Sequence, residues 1–510
     1  MLTKLNSFSI IGINALNVEV QVDVSKGLPQ TLIVGLADSV VKESKERIKV
    51  AIKNSGFKYP LGRVTINLYP ADTKKEGTQL DLPIALGILA SSNQLNPNLL
   101  KDFVFLGELA LDGSLKKTKG ILISALEAKA KGFKNLIIPK ENLNEAAFLE
   151  DVNVWGAESL NQVIFILQNL ELFPPSKKSA KEFLEVNSNY LYDFSEVKGQ
   201  FQAKRAIEVA VAGFHNILMI GPPGSGKSML AKRIPTIMPK MELEEILETS
   251  KIYSALGLLP ADKPLITQRP FRNPHHTASE VALIGGGNPP TPGEISLAHN
   301  GVLFLDELPE FHRDVLESLR QPLEDGFVNI SRAKSFFRFP AKVMLVAAMN
   351  PCPCGYYTHP KRTCRCSSSK ITKYLSKISG PLLDRIDIHI QIPPVELKDL
   401  DTNLPQEDSE TIRKRVERVR KIQKERFKSE NIFFNSQMSP KHIKKFCIMQ
   451  EEAKELLKKA MNELKLSLRA YEKILKLART IADFEEKRLI EPHHIAEAIQ
   501  YRVLDREFFR

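Results

Sequence analysis

The run Gly221-Pro222-Pro223-Gly224-Ser225-Gly226-Lys227-Ser228 constrains this chain more than any other stretch. It fills every fixed position of the nucleotide-cradling pattern G-x-x-x-x-G-K-[ST]. His215-Asn216-Ile217-Leu218-Met219-Ile220 before it reads as a short buried strand, and Ser228-Met229-Leu230-Ala231-Lys232-Arg233 after it starts an amphipathic helix. Glycines let the backbone curl until consecutive N–H groups face one phosphate, and the helix N-terminus adds a favourable dipole. In that frame Lys227 neutralises the β- and γ-phosphates of ATP, and the Ser228 hydroxyl completes the shell of a Mg²⁺ ion. The chain is expected to bind a nucleoside triphosphate and to fold around it as an α/β protein.

Such a loop needs an acidic strand beside it. Gly301-Val302-Leu303-Phe304-Leu305-Asp306-Glu307 supplies four apolar residues for a parallel strand and two carboxylates at its C-terminal end. Asp306 is the candidate Mg²⁺ ligand through water, and Glu307 the group that polarises the attacking water. Lys342-Val343-Met344-Leu345-Val346-Ala347-Ala348-Met349-Asn350 reads as a further core strand, with Asn350 placed to orient the water, to sense the γ-phosphate, or simply to start a turn. Leu382-Leu383-Asp384-Arg385-Ile386-Asp387 follows; on spacing alone Arg385 pairs with Asp384 or Asp387, while a finger reaching a neighbouring subunit's ATP is the other reading. Arg469, in Leu466-Ser467-Leu468-Arg469, stands at a helix start from which a lid could reach the phosphates.

At 510 residues the chain is too long for one core. Hydrophobic content of 43% and charged content of 26% are those of an ordinary globular protein, and no apolar run approaches the ~20 residues that span a bilayer. Met1-Leu2-Thr3-Lys4-Leu5-Asn6-Ser7 has no signal-peptide character, so the expected location is cytoplasmic, without a membrane partner. The net charge of +12 favours a polyanionic partner, either nucleic acid or a membrane surface, unless it reflects a generally lysine-rich proteome.

Along the chain, residues 1–172 read as an α/β domain with a mixed sheet. Its strands include Val18–Val24, Arg63–Leu68 and Asn135–Pro139, and its helices Asp38–Ser55, Leu82–Ser92 and Ile121–Gly132. Residues 173–190, opening on Pro174-Pro175-Ser176-Lys177-Lys178-Ser179, look like a linker. Residues 191–393 form the α/β ATPase module. Residues 394–510 show no strands and long charged helices, Glu410–Ser429, Ala470–Lys487 and Pro492–Leu504, that read as a helical lid.

Four of the five cysteines cluster as Cys352-Pro353-Cys354 and Cys364-Arg365-Cys366. Clustered thiols in a cytoplasmic chain favour metal over disulfides, and Zn²⁺ on four thiolates would pin a loop too polar to fold by burial. The C-x-C spacing is tighter than usual for zinc, His359 is an alternative ligand, and reduced structural thiols or a redox switch remain the competing readings. Cys447 reads as core filler.

In this order, the motifs resemble AAA+ P-loop ATPases, and more specifically the magnesium-chelatase-like ComM/YifB family. The resemblance rests on Pro270-Phe271-Arg272-Asn273-Pro274-His275-His276-Thr277-Ala278-Ser279, on Gly285-Gly286-Gly287, and on Pro292-Gly293-Glu294-Ile295-Ser296-Leu297-Ala298-His299-Asn300-Gly301. Asn350-Pro351-Cys352-Pro353-Cys354-Gly355 and Ser379-Gly380-Pro381-Leu382-Leu383-Asp384-Arg385-Ile386-Asp387 complete it, so that the likeness covers about residues 5–505. It implies a homo-hexameric motor in which Arg385 is the finger in trans and Arg469 the lid sensor. It further implies a helicase that promotes branch migration on single-stranded and branched DNA during natural transformation or recombination, with recombination proteins as further partners. Val328–Ser335 then fits a pore hairpin carrying Arg332 and Lys334 at its tip, flexible cations suited to phosphate contacts without sequence readout; an ordinary solvated lysine is the plainer reading of Lys334.

The family's N-terminal domain resembles the peptidase domain of Lon proteases, a ribosomal S5 domain 2-like α/β fold. Leu106–Leu115 and Gly132–Lys140 carry that likeness here. Lon's serine region corresponds to Gly77-Thr78-Gln79-Leu80-Asp81-Leu82 and its lysine region to Leu122-Ile123, so no Ser/Lys dyad and no peptidase activity are expected. The competing functions are a magnesium-chelatase-type motor subunit, inserting Mg²⁺ into a porphyrin, and an AAA+ regulatory scaffold. The N-terminal domain and the cysteine loop speak against the first, and the full set Asp306, Glu307, Asn350 and Arg385 against the second.

Overall fold

The computed structural model describes residues 2–179, 190–260, 262–332, 335–357, 359–394, 406–464, 466–502 and 504. The chain divides into two compact units, residues 1–187 with 243–267, and residues 188–242 with 268–510.

In the first unit, β1 (Leu2–Ile11), β2 (Asn14–Ser25), β3 (Gln30–Val34), β4 (Arg63–Tyr69), β5 (Phe103–Phe105), β6 (Asn135–Pro139) and β7 (Asn153–Ala157) form one mixed sheet. Its order is β3-β4-β2-β1-β5-β6-β7. β2 runs antiparallel to both β1 and β4, and the pairs β1–β5, β5–β6 and β6–β7 are parallel. Period-two patterning decides the faces: Val18, Val20 and Val22 are fully buried, while Glu19, Gln21 and Asp23 are partly solvated. α1 (Ser39–Asn54) begins where Asp38 accepts the Val41 amide at 2.8 Å and ends before Gly56, whose φ is +86°. α2 (Asp81–Ser91) is buried along its whole length, α3 (Ile121–Ala130) covers the same sheet, and α4 (Leu160–Gln168) packs beside β7.

The helix Leu243–Leu256 belongs to this unit, although the sequence places it inside the ATPase module. The Ser254 carbonyl accepts the Gly120 amide at 2.9 Å, and Lys117 Nζ donates to the Leu259 carbonyl at 2.8 Å. The helix buries Ile246, Thr249, Ser250, Ile252 and Ser254, a face whose partner no local pattern reveals.

In the second unit, β8 (Ile217–Ile220), β9 (Phe271–Arg272), β10 (Val302–Leu305), β13 (Met344–Met349) and β14 (Ile388–Gln391) make an all-parallel sheet in the order β9-β10-β13-β8-β14. β11 (Phe327–Arg332) and β12 (Ser335–Pro340) form a separate antiparallel hairpin. β8, β10 and β13 are buried at every position, which is why they are continuous apolar runs rather than alternating ones. α5 (Phe201–Gly213) and α6 (Lys227–Ile237) share a core with the C-terminal helices α7 (Ser409–Arg426), α8 (Glu451–Glu463), α9 (Leu468–Phe484) and α10 (Pro492–Gln500). Ile207 and Val211 lie in one apolar cluster with Val416, Val419, Ile474 and Leu477. α10 stops at Gln500 rather than reaching 504, because the Tyr501 carbonyl accepts the His389 amide at 2.8 Å and draws the chain to the sheet. Among the described residues, no helix is long and apolar enough to cross a membrane.

Candidate nucleotide site

In an open parallel sheet, ligands bind beyond the carboxyl ends of the strands. Gly221–Ser228 leaves the end of β8, Asp306 and Glu307 leave the end of β10, and Asn350 leaves the end of β13, the strand between them. The strand order therefore brings together groups up to about 130 residues apart in sequence. They line one cleft of about 370 Å³, formed by Pro223–Met229, Asp306, Glu307, Met349 and Asn350.

Its geometry fits a bound phosphate chain. Gly224 and Gly226 take φ values of +77° and +91°, and a Cβ on either would project into open space. Lys227 Nζ is turned back onto the loop, donating to the carbonyls of Gly221 (2.7 Å) and Pro222 (2.9 Å) and to Asn350 Oδ1 (3.3 Å). Burial lowers the Lys227 pKa, while the carboxylates of Asp306 and Glu307 pull it back up. Among the described residues, the buried Ser225 hydroxyl has no hydrogen-bond partner. Ser228 Oγ donates to Asp306 Oδ2 at 2.6 Å, which puts the two expected Mg²⁺ groups in direct contact. Glu307 adopts φ +53°, and its carboxylate is largely exposed in the cleft.

One neighbour of that carboxylate carries no role in the sequence reading: His276 Nδ1 lies 3.5 Å from Glu307 Oε2. The stretch around it is anchored by Arg272, whose guanidinium donates to both carboxylate oxygens of Glu294 at 2.6 and 2.7 Å. The only hint in the sequence is the unusual Arg272-Asn273-Pro274-His275-His276 run, which says nothing of what it faces.

The two arginines lie elsewhere. Neither Arg385 nor Arg469 is among the described residues that line the P-loop cleft. Arg385 lines a second cleft of about 570 Å³ with Glu280, Glu317, Arg320, Glu324 and Asn329. Its ion-pair partner there is Glu324, rather than Asp384 or Asp387. Arg469, two residues past the Ser467 cap of α9, pairs with Asp384 Oδ2 at 3.0 Å and is 64% exposed. β11 and β12 pair from Phe327↔Pro340 to Arg332↔Ser335, so a hairpin is present and runs past the expected end at Ser335 to Pro340. Lys334 lies outside the described residues, and of Arg332 only the backbone is described.

The four clustered cysteines converge. Cys352 Sγ lies 3.3 Å from Cys354 Sγ and 3.7 Å from Cys364 Sγ, Cys354 and Cys364 are 3.6 Å apart, and all four sulfurs fall within 4.8 Å of one another. Zn–S bonds of about 2.3 Å in a tetrahedron set sulfurs about 3.8 Å apart, so the group fits a tetrathiolate zinc ion. The Tyr357 amide points at Cys352 Sγ (3.3 Å) and the Cys366 amide at Cys364 Sγ (3.4 Å). Backbone amides of Arg365 and Tyr356 bring the Cys354 thiol down to about 6, whereas at Cys364 and Cys366 a backbone amide is outweighed by burial and the neighbouring thiols and the pKa goes up. His359 is not part of the cluster; its Nδ1 accepts the amides of Lys361 and Arg362, both at 3.0 Å.

Strand order, phosphate loop, acidic strand, polar strand end and C-terminal helices together define a P-loop ATPase domain of the AAA+ type. Three family models match: "Magnesium chelatase, subunit ChlI" over residues 193–400, "Subunit ChlI of Mg-chelatase" over 20–142, and "Magnesium chelatase, subunit ChlI C-terminal" over 406–502. The chain is 45% identical to the competence protein ComM of Haemophilus influenzae, covering 97% of this chain and 96% of that protein. It is 42% identical to the protein YifB of Escherichia coli, over 99% and 98% of the two chains. A stretch of 52 residues, 10% of this chain and 8% of the other, is 48% identical to the archaeal Lon protease of Archaeoglobus fulgidus. This chain belongs to the ComM/YifB family of magnesium-chelatase-like AAA+ proteins. The match over residues 20–142 also removes the N-terminal unit as an argument against a chelatase-type role.

Proposed function

We propose that this protein is an ATP-driven motor on DNA, a hexameric helicase that promotes branch migration of single-stranded and branched DNA during transformation or recombination in the cytoplasm. The observation that carries the ATPase part is the convergence of Lys227, Ser228, Asp306, Glu307 and Asn350 in one cleft. The DNA part is supported by likeness to a competence protein over 97% of the chain, by the net charge of +12, and by the β11–β12 hairpin.

In this reading Gly221, Pro222 and Pro223 shape the turn, the amides of Gly224, Ser225 and Gly226 face the phosphates, and Lys227 leaves its carbonyl partners for the phosphate oxygens. Ser228 and Asp306 hold Mg²⁺, which supplies Lewis-acid polarisation of the phosphoryl group. Glu307 orients the attacking water with His276 beside it, and Asn350 reports the γ-phosphate to β13. Arg385 leaves Glu324 to reach a neighbour's ATP, and Arg469 leaves Asp384 to sense nucleotide from α9; both pairings sit at least partly in water and are weak enough to exchange. Arg332 and Lys334 grip DNA phosphates in the pore, Cys352, Cys354, Cys364 and Cys366 hold Zn²⁺, and recombination proteins deliver the DNA.

Branch migration of a labelled three-strand junction tests the proposal. The wild type should resolve it with ATP and Mg²⁺, and Glu307→Gln should bind ATP without resolving it. A wild type that hydrolyses ATP yet leaves every junction intact would favour the chelatase-type motor, which the three matching chelatase family models keep open.

A further inference from the structure

We propose that the four-cysteine cluster is a strut of the nucleotide site, fixing the shape of the P-loop through a contact between Gly355 and Pro223. The inference rests on the zinc reading above.

Three observations place the cluster against the loop. The first is the chain itself: Cys352 follows Asn350-Pro351 directly, so the first thiolate and the cleft amide leave the same end of β13, and Cys352 is fully buried. The second is close packing. Gly355 lies in the turn between Cys354 and Tyr357, closed by its amide on the Cys352 carbonyl at 2.9 Å, and takes φ +81°. A Cβ on Gly355 would come within 2.5 Å of Pro223 Cδ and 2.8 Å of Pro223 Cγ, so only a glycine lets the two loops touch. The third is what lies behind the P-loop, a void of only about 90 Å³ lined by Gly221, Pro222, Pro351, Tyr357, His359 and Gln391. The cysteine loop thus closes the rear of the loop whose amides face phosphate.

The physical consequence follows from what holds each loop. Gly224 and Gly226 have open space around them, so their own packing does not fix the P-loop. The segment from Tyr356 to Cys366 contains no regular helix or strand among its described residues, so the thiolates are its main anchor. With metal bound, the Cys352–Tyr357 turn is rigid and Pro223 rests on it. Without metal, that turn relaxes, Pro223 loses its backing, and the phosphate-facing amides lose their common aim. A displacement of about 1 Å at such a site weakens positioning by up to about 10²-fold.

The test uses the full chain with Mg²⁺ in excess and reads equilibrium affinity for a fluorescent ADP analogue, alongside metal content and far-ultraviolet circular dichroism. Wild type should carry about one zinc per chain. Cys364→Ser/Cys366→Ser, which spares the turn at Asn350, should carry none and bind the analogue about tenfold more weakly. In a Pro223→Ala background the same two substitutions should weaken binding by less than about threefold, because the contact they act through is gone. Gly355→Ala gives an independent reading if the serine variant does not fold; it should keep its zinc and still lose about tenfold in affinity. The strut is overturned if the zinc-free, folded variant binds within about twofold of wild type, or if its loss is equally large without Pro223, or if Gly355→Ala with zinc binds normally. Metal-free wild-type protein would instead overturn the zinc reading, and the strut with it.

Discussion

Replacing Asp387 by asparagine should destabilise the second unit in a way that depends on pH. The Asp387 carboxylate meets His215 Nδ1 at 3.0 Å and Lys473 Nζ at 3.2 Å, and Lys473 also donates to the Ile386 carbonyl at 2.8 Å. His215 Nε2 lies 2.9 Å from Thr480 Oγ1. One carboxylate therefore ties the start of β8 and the segment carrying Arg385 to α9, which carries Arg469. Both charged side chains are nearly out of water, at 12% and 13% exposure for Lys473 and Asp387. Burial alone would raise the Asp387 pKa, but Lys473 and His215 outweigh it and hold the carboxylate well below its usual range. Burial lowers Lys473 to about 8, against the pull of Asp387.

Asp387→Asn leaves the Lys473 ammonium buried opposite a neutral amide, which costs about 3–5 kcal/mol near neutral pH. At roughly 2–4 °C per kcal/mol for a unit of this size, Tm should fall by about 6–20 °C. The sign of the pH dependence comes from Lys473, whose folded pKa lies below the unfolded value of about 10.4. As pH rises between the two, the unfolded chain holds the proton that the folded chain has lost, so stability from this group increases with pH. Without Asp387 that window opens at lower pH, and the variant's deficit should shrink from pH about 7 to about 9.5. Thermal unfolding followed by circular dichroism at both pH values measures it. The double variant Asp387→Asn/Lys473→Met should recover most of the loss. A drop below about 2 °C, or a deficit independent of pH, would refute the reasoning.

Other consequences concern turnover. Arg385→Ala should keep nucleotide affinity within about twofold and cut kcat by about 10³-fold; mixing it with Glu307→Gln should restore part of the activity, because each supplies the group the other lacks, and an inert mixture would place Arg385 outside the neighbour's site. Ser228→Ala breaks the contact with Asp306 and should raise the Mg²⁺ concentration needed for half-maximal hydrolysis, read by titrating Mg²⁺ at fixed ATP. Lys334→Glu should weaken DNA binding and flatten the dependence of log affinity on log salt by about one phosphate contact or more; an unchanged slope sinks that contact.

The parts of this architecture written in local pattern were legible in the sequence. The helical pattern over Asp38–Ser55 marked α1, alternating valines marked β2, and three apolar runs marked the buried strands. What depended on distant partners was not. The helix Leu243–Leu256 has an ordinary apolar face, and nothing in it says that it belongs with α3 in the first unit rather than with the strands that flank it in sequence. Arg385 found Glu324, 61 positions away, because the helix before β11 returns to it in space, whereas spacing can weigh only near neighbours such as Asp384. His276 faces Glu307 across two loops whose meeting follows from strand order alone. The cysteines announced a cluster, yet the contact of Gly355 with Pro223 is a matter of loop packing that composition does not encode.

The central claim is that ATP hydrolysis here is coupled to DNA, and the most direct measurement is steady-state hydrolysis with and without single-stranded and forked DNA, with Lys227→Ala as the blank. Strong stimulation by DNA, absent in Lys227→Ala, is the predicted result. Hydrolysis by the wild type that is the same with and without either DNA would contradict it.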